Sequence, residues 1–196
     1  MRKINLLLKR VFDFLLTLIG AIIISPVMLI IAILIKSSSK GPIFFVQERL
    51  GHRGKVFKIY KFRTMVVNAE HIGTGIMINE KSDPRITKIG RFLRSTSLDE
   101  LPQIFNVIRG DMSLVGPRPP VTYHPYNGYD NYPAWAQKRF EMKPGMTGLV
   151  QITVRSDASW DDRMKIDCEY VDKFSVLFDI KIILGTIKTV LKGEAI

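Results

Sequence analysis

The sequence has a single cysteine, Cys168, among 196 residues, which excludes an internal disulfide framework and any multi-cysteine metal site. Such cysteine usage suits a reducing cytoplasm. Histidine is almost as scarce. His52, His71 and His124 are too scattered to form a local ligand pair, so each reads as a surface or packing residue rather than a zinc ligand. There is no internal repeat and no low-complexity tract. Acidic residues are in short supply: 18 Asp and Glu stand against 29 Lys and Arg, a net charge of +11. That excess requires an anionic partner, and the choices are nucleic acid, anionic lipid and phosphorylated substrates. The length suits one well-cored domain with appendages rather than two domains.

What is present in abundance is an apolar run. Residues 11–35 are almost wholly apolar, with Asp13 their only formal charge, and Arg2, Lys3, Lys9 and Arg10 precede them. The run is too long for a signal peptide and lacks a small-residue cleavage site, so it is expected to be retained. Two topologies compete. A straight helix of this length crosses a bilayer. Against that, Ser25-Pro26 falls mid-run, where proline removes a helical hydrogen bond and predicts a kink. Lys36, Lys40 and Arg49 after the run also place both flanks on the cytoplasmic side by the positive-inside rule, as a re-entrant hairpin requires. Asp13 is expected near the headgroups, since a lipid-exposed charge at depth is costly. At the other end, residues 178–192 carry Ile180, Ile183, Leu184, Ile187, Val190 and Leu191 at helical spacing, with Lys181, Lys188 and Lys192 largely elsewhere. This segment is either an interfacial amphipathic helix or an ordinary core helix. The membrane run and the lack of any nucleic-acid recognition fold turn the charge toward lipid and phosphate.

Between these ends, a Ser-rich hinge at 37–39 leads to a predicted β-hairpin: 43–50, a Gly51-His52-Arg53-Gly54 turn, and 55–62. Residues 68–81 read as a loop. Asp83-Pro84 opens a helical segment placing Ile86, Ile89, Phe92 and Leu93 on one face. Two Pro- and Gly-rich stretches follow, Val115-Gly116-Pro117-Arg118-Pro119-Pro120 and Lys143-Pro144-Gly145-Met146-Thr147-Gly148. The second leads into an apparent strand ending at Arg155. By themselves both stretches are tight connectors.

Ser97-Leu98-Asp99-Glu100-Leu101-Pro102-Gln103 holds a conflict. Ser97 with Glu100 has the form of a capping box starting a helix at Leu98, yet Pro102 would then disturb the bond to Leu98. With Asp99 as the cap, Pro102 falls harmlessly in the first turn. On either account Asp99 and Glu100 lie at a helix N-terminus, where acidic residues are stabilised with no chemistry needed. Their setting among Arg91, Arg94, Lys61 and Arg63 also suits a hard divalent cation and phosphate oxygens.

Several motifs together carry a resemblance: Lys61-Phe62-Arg63-Thr64-Met65; Asp83-Pro84-Arg85-Ile86-Thr87 through Gly90-Arg91-Phe92-Leu93-Arg94; Ser97 to Gln103; and Gly110-Asp111-Met112-Ser113-Leu114-Val115-Gly116-Pro117-Arg118-Pro119. In order and spacing they resemble the bacterial sugar transferases, and more narrowly the small monotopic phosphoglycosyl transferases that begin polyprenyl-linked glycan assembly. The resemblance covers nearly the whole chain. It implies an α+β, mainly helical fold: a re-entrant membrane helix over 1–36 broken at Ser25-Pro26, then a catalytic domain over 37–196 with a small β-hairpin and interfacial amphipathic helices. Both ends of the membrane helix would lie at the cytoplasmic face of the bacterial inner membrane.

The resemblance also implies a reaction. Asp99 would attack the β-phosphorus of a UDP-sugar, expelling UMP, and undecaprenyl phosphate would take the phosphosugar from the carboxylate. This would be the first membrane step of capsule, exopolysaccharide, O-antigen or glycoprotein glycan synthesis. Glu100, with Asp99, would hold Mg²⁺, Arg94 would hold phosphate oxygens, and Arg118 and Pro119 the nucleotide. Lys61, Arg63, Arg85 and Arg155 would bind phosphate or position loops, and Asp167 would organise those arginines. Downstream glycosyltransferases and a second copy of the chain are further partners to expect; nucleic acid is not. Where many relatives read Trp-Ala-Gln-Val-Asn-Gly-Arg, this chain has Leu149-Val150-Gln151-Ile152-Thr153-Val154-Arg155, a departure bearing on the local loop and on sugar choice. Without the extra N-terminal transmembrane domain of larger relatives, the chain reads as a minimal catalytic form. The competing reading from another class is a non-catalytic membrane scaffold that recruits glycan-assembly enzymes through its basic face.

Overall fold

The computed structural model describes residues 2–69, 72, 83–154 and 158–191. It begins with one long helix, α1 (Arg2–Ser38), whose section from Ile4 to Ser38 is long and apolar enough to cross a membrane. The helical backbone continues through Pro26, correcting the predicted break at Ser25-Pro26. Proline has no N–H to give to the carbonyl four residues back, that of Ile22, and Ser25 Oγ donates to that oxygen instead at 2.8 Å. The backbone group that proline would strand is thereby satisfied.

One face of α1 packs on the body along most of its length, because Lys9, Asp13 and Thr17, then Ile31 and Ile35, recur at helical spacing and are all buried. In the first half, Arg10 donates from Nη1 to Val107 O at 2.6 Å and from Nη2 to Ile108 O at 3.0 Å. Asp13 accepts from Ser113 Oγ and faces Lys9 at 3.5 Å, so it is paired in the protein interior. In the second half, Ile31 and Ile35 join Phe62 and Leu93 in a buried cluster that Leu98 and Leu101 also touch. The opposite face, including Leu7, Leu15, Ile22, Ile23, Leu29 and Ile33, is exposed.

The predicted hairpin forms as β1 (Phe44–Leu50) and β2 (Val56–Phe62), antiparallel, with Phe44 opposite Phe62 and Leu50 opposite Val56. Its turn is a 3₁₀ segment, His52–Gly54, in which Arg53 and Gly54 both have positive φ. Helix α2 (Lys88–Ser95) starts later than the Asp83-Pro84 signal suggested, since Thr87 Oγ1 accepts from Gly90 N at 2.9 Å and fixes the cap there. Ile86 and Leu93 are buried, but Phe92, read on the same face, points outward, 60% exposed. A 3₁₀ turn, Leu98–Gln103, runs into α3 (Ile104–Arg109).

Beyond α3 the chain forms a second sheet that the sequence patterns do not announce: β3 (Ser113–Val115) pairs in parallel with β4 (Gly145–Thr147), Ser113 opposite Gly145 and Val115 opposite Thr147. Between them lie α4 (Ala134–Gln137) and a 3₁₀ segment, Lys138–Glu141. The strand predicted after Gly148 is instead a helix, α5 (Leu149–Thr153). Its β-branched residues favour strand locally, but as a helix Leu149 joins the cluster of Tyr170, Val171 and Ile182, with Ile152 against its edge. Helices α6 (Trp160–Lys173) and α7 (Val176–Leu191) complete the fold, which is mainly helical with two small sheets. On α7, Asp179 and Ile182 face the body, while Leu177, Ile180, Leu184 and Ile187 form an exposed apolar stripe. The apolar periodicity read in this segment therefore marks largely its outward side.

Candidate active site

The Asp99 turn is held from below by its own apolar residues. Leu98 and Leu101 pack into the cluster of Ile31, Ile35, Phe62 and Leu93, and Pro102 is buried. Neither predicted cap forms. Ser97 is left-handed (φ 55°) with no side-chain cap bond, and the 3₁₀ geometry carries Asp99 and Glu100 in the first turn with Pro102 inside the segment. Because a 3₁₀ turn is tighter than an α-turn, Pro102 does not meet the i−4 clash that made it awkward in the sequence.

Glu100 Oε1 accepts two charged hydrogen bonds, from Lys61 Nζ at 2.6 Å and Arg118 Nη2 at 2.8 Å. Lys61 arrives near the end of β2, and Arg118 arrives on the loop after β3. Burial by itself would raise the Glu100 pKa, but the charges of Arg118 and Lys61 hold it well below the usual carboxylate range. Lys61 is pushed down from its ordinary value by burial, against the pull of Glu100. Asp99 differs from its neighbour. Burial pushes it up, the charge of Glu100 pushes the same way, and Lys61 and Arg94 oppose. The helix start therefore does not hold Asp99 at a low pKa, and the nearby cations are what favour its carboxylate form.

The loop that presents Arg118 is fastened at both ends. Gly116 N donates to Thr147 O at 2.9 Å and Gly145 N donates to Pro117 O at 3.0 Å, so the two Pro- and Gly-rich stretches form one layer. Gly116 is required by this approach, since a Cβ there would lie 2.4 Å from Lys143 O. Pro119 is buried, and its carbonyl accepts from Arg49 Nη1 at 3.1 Å. The carbonyl of Arg118 itself accepts from Arg139 Nη2 at 2.8 Å, and the same nitrogen is 2.5 Å from Asp167 Oδ2. Asp167, pushed up by burial and pulled down by Arg139, thus reaches Arg118 through Arg139. Arg139 is a site residue that sequence reading missed. Nothing local distinguishes it from the other cations of a basic chain, and only its 4% exposure and its buried carboxylate partner set it apart.

Of the remaining predicted residues, Arg94 acts electrostatically on Asp99 from the last turn of α2. Arg63 instead closes the end of α1, donating to the carbonyls of Ser39 and Lys40. Arg85 grips Asp83 at 2.6 Å and the carbonyls of Ala69 and Ile72, which positions a loop rather than a phosphate. Arg155 lies outside the described residues, as does most of the loop read over 68–81. Among the described residues there is no group of three or more side chains able to hold a metal. Asp99 and Glu100 supply two carboxylates at most, a donor set that fits Mg²⁺, which is held by one or two carboxylates together with substrate phosphates and water.

The family model for bacterial sugar transferases matches residues 4–193. The chain is 43% identical over 199 residues to the galactosyl transferase CpsE of Streptococcus agalactiae, covering 96% of this chain and 43% of that protein. It is 40% identical over 200 residues to the undecaprenyl-phosphate galactose phosphotransferase of Salmonella typhimurium, covering 95% and 41%. Against the exopolysaccharide production protein ExoY of Sinorhizobium fredii it is 39% identical over 202 residues, covering 96% and 88%. The chain thus spans less than half of the first two relatives and most of the third. It belongs to the bacterial sugar transferase family.

Proposed function

We propose that this chain transfers a phosphosugar from a UDP-sugar to undecaprenyl phosphate at the cytoplasmic face of the bacterial inner membrane. The observation that carries the reading is the convergence of Lys61 and Arg118 on Glu100, with Asp99 beside it in the same turn. An isolated acidic helix start needs no such partners, whereas a diphosphate site needs both cations and a nucleophile.

Asp99, partly desolvated, attacks the β-phosphorus of the donor. The bond from that phosphorus to the oxygen bridging the two phosphates breaks, and UMP leaves with its electrons. An oxygen of the lipid phosphate then attacks the same phosphorus, freeing the Asp99 carboxylate and giving the lipid diphosphate sugar. The covalent stage lets a water-soluble donor and a lipid acceptor use one site in turn. Lys61, Arg118 and Arg94 hold the phosphate oxygens, and Arg139 with Asp167 keeps the Arg118 loop in place. Glu100 with Asp99 would hold Mg²⁺, which would supply neutralisation of the charge on the diphosphate.

The reading of α1 is monotopic, with both ends cytoplasmic. Its support is packing. Gly20 faces Ile104, Met28 already joins the cluster of Phe62 and Leu93, and residues 21–27 lie between those contacts. Such a stretch rises only about 10 Å, against about 30 Å of bilayer hydrocarbon. The exposed stripe of α7 beside Lys181 and Lys188 suits the interface of an anionic membrane.

The test is to incubate the purified protein with a panel of UDP-sugars, Mg²⁺ and undecaprenyl phosphate and to measure UMP. Release that requires Asp99 is expected. Absence of UMP with every donor, or undiminished release by Asp99→Asn, overturns the mechanism. Cysteines placed at Asn5 and Ser38 are expected to be labelled only from the cytoplasmic side.

A further inference from the structure

Five polar side chains outside the Asp99 turn meet in the interior: Lys9 and Asp13 of α1, Ser113 of β3, Tyr170 of α6 and Asp179 of α7. None is more than 5% exposed. Lys9 Nζ is 2.5 Å from Asp179 Oδ2 and 3.5 Å from Asp13 Oδ2. Ser113 Oγ donates to Asp13. The Tyr170 hydroxyl lies 2.8 Å from Asp179 Oδ1 and 3.2 Å from Val115 O, so its one proton has two acceptors and its position is set by both.

Burying three formal charges costs several kcal/mol per ion before pairing is counted, and apolar residues of similar size would fasten a helix as well or better. Anchoring alone does not explain the cluster. What distinguishes it is where it ends. Both exits from α1 lead to β3, one through the Ser113 hydroxyl and the other through Asp179 and Tyr170 to the Val115 carbonyl. Strand β3 runs directly into Gly116-Pro117-Arg118, and prolines at 117, 119 and 120 leave that loop little torsional slack. Displacement of Val115 is therefore passed on to Arg118 instead of being absorbed. Helix α6 holds the loop at both ends, Tyr170 facing Val115 O and Asp167 acting through Arg139 on Arg118 O.

We propose that Lys9 and Asp13 of the membrane helix are positioning residues of the nucleotide site: through Ser113 and Tyr170 they set β3, and with it the approach of Arg118 to the donor diphosphate. This rests on the reading of Arg118 as a donor-binding residue. The membrane helix is on this account part of the donor site as well as an anchor, and the site is fully formed only while the first half of α1 is seated.

The experiment uses the full chain in lipid nanodiscs with Mg²⁺ and UDP as the probe, its affinity read by calorimetry, followed by turnover kinetics with the active donor. Ser113→Ala and Tyr170→Phe each remove one hydroxyl with little change of volume. Each is expected to weaken UDP binding about three- to tenfold, the range of one lost hydrogen bond. KM for the donor should rise in step, with kcat at saturating donor nearly unchanged. A purely structural contact would lower the melting temperature and leave UDP affinity unmoved well below it. Ser25→Ala, whose hydroxyl bonds only within α1, should bind UDP like the parent. Wild-type affinity in folded Ser113→Ala and Tyr170→Phe overturns the proposal, and if one of them does not fold the other decides. If the parent protein binds no UDP, it is the functional reading that fails.

Discussion

Lys61 Nζ lies 2.6 Å from Glu100 Oε1, and that same oxygen is 2.8 Å from Arg118 Nη2. Glu100 is thus already neutralised by two cations. A divalent ion binding there alone would add to positive charge, whereas one arriving with a diphosphate brings the anions that Lys61 and Arg118 can take up instead. The protein is expected to bind Mn²⁺ weakly by itself and tightly with UDP, as read by Mn²⁺-dependent relaxation of water protons. Lys61→Met should strengthen binding of Mn²⁺ alone by roughly tenfold, the order expected when a nearby unit charge is removed. Chelation with EDTA should abolish UMP release. Equal Mn²⁺ affinity with and without UDP would contradict the arrangement.

In the proposed mechanism Asp99 attacks phosphorus as a carboxylate, and burial pushes its pKa upward. UMP release should therefore fall, as pH is lowered, at a value above the ordinary aspartate pKa of about 4. Lys61, pushed down by burial, should lose its charge on the alkaline side below the ordinary lysine value. Lys61→Arg, whose cation does not titrate in this range, should move the alkaline limb upward. An acid limb at or below about 4 in the pH–rate profile would count against Asp99 as placed.

Hydrogen bonding from the Arg85 side chain holds Asp83 down to about 2. A depressed carboxylate pKa contributes stability that is complete above the unfolded value of about 4 and is lost as pH falls through the folded value. Thermal unfolding between pH 5 and pH 2, as about the range that brackets both values, should show this loss, and Arg85→Met should flatten it. An unchanged pH dependence in Arg85→Met would show that the pair contributes nothing.

Arg139 and Asp167 form a buried pair at 2.5 Å. Arg139→Met or Asp167→Leu alone should cost about 3–5 kcal/mol in denaturant unfolding, because each leaves one buried charge uncompensated. The double variant should recover much of that stability. It should not recover UDP affinity, since Arg118 O has lost its donor. Recovery of both would reduce Arg139 to a packing residue.

Gly90 lies against the chain after β2, where an added Cβ would be 1.9 Å from Thr64 O. Gly90→Ala must push α2 away from that segment and move Arg94 with it. A loss of about 1–3 kcal/mol in stability is expected, together with weaker UDP binding. A stable Gly90→Ala variant with the parent's UDP affinity would mean that α2 is free to shift without consequence for the site.

Elements defined by short-range chemistry were legible. The hairpin appears where alternating residues flank a Gly-His-Arg-Gly turn, and α1 follows from a long, almost wholly apolar run. Elements whose partners lie far away were not. The segment after Gly148 has the composition of a strand, yet it is helical because Leu149 and Val150 find burial in that form. The cap of α2 was misplaced because Asp83-Pro84 is a strong local signal, while the Thr87 cap is reinforced by Thr64, remote in sequence, whose carbonyl accepts from the Thr87 side chain.

The sequence by itself determined the membrane affinity, the basic charge and the adjacency of Asp99 and Glu100, since composition and neighbouring positions need no fold to be read. Its motifs also carried the family. Tertiary structure alone decided which cations serve the carboxylates. Lys61 and Arg118 reach Glu100, whereas Arg63 and Arg85 are spent on backbone carbonyls and Asp83. The same holds for Arg139 and for the Lys9, Asp13 and Asp179 cluster. A charge in the sequence carries no mark of being buried, and its partner is set by which elements pack together.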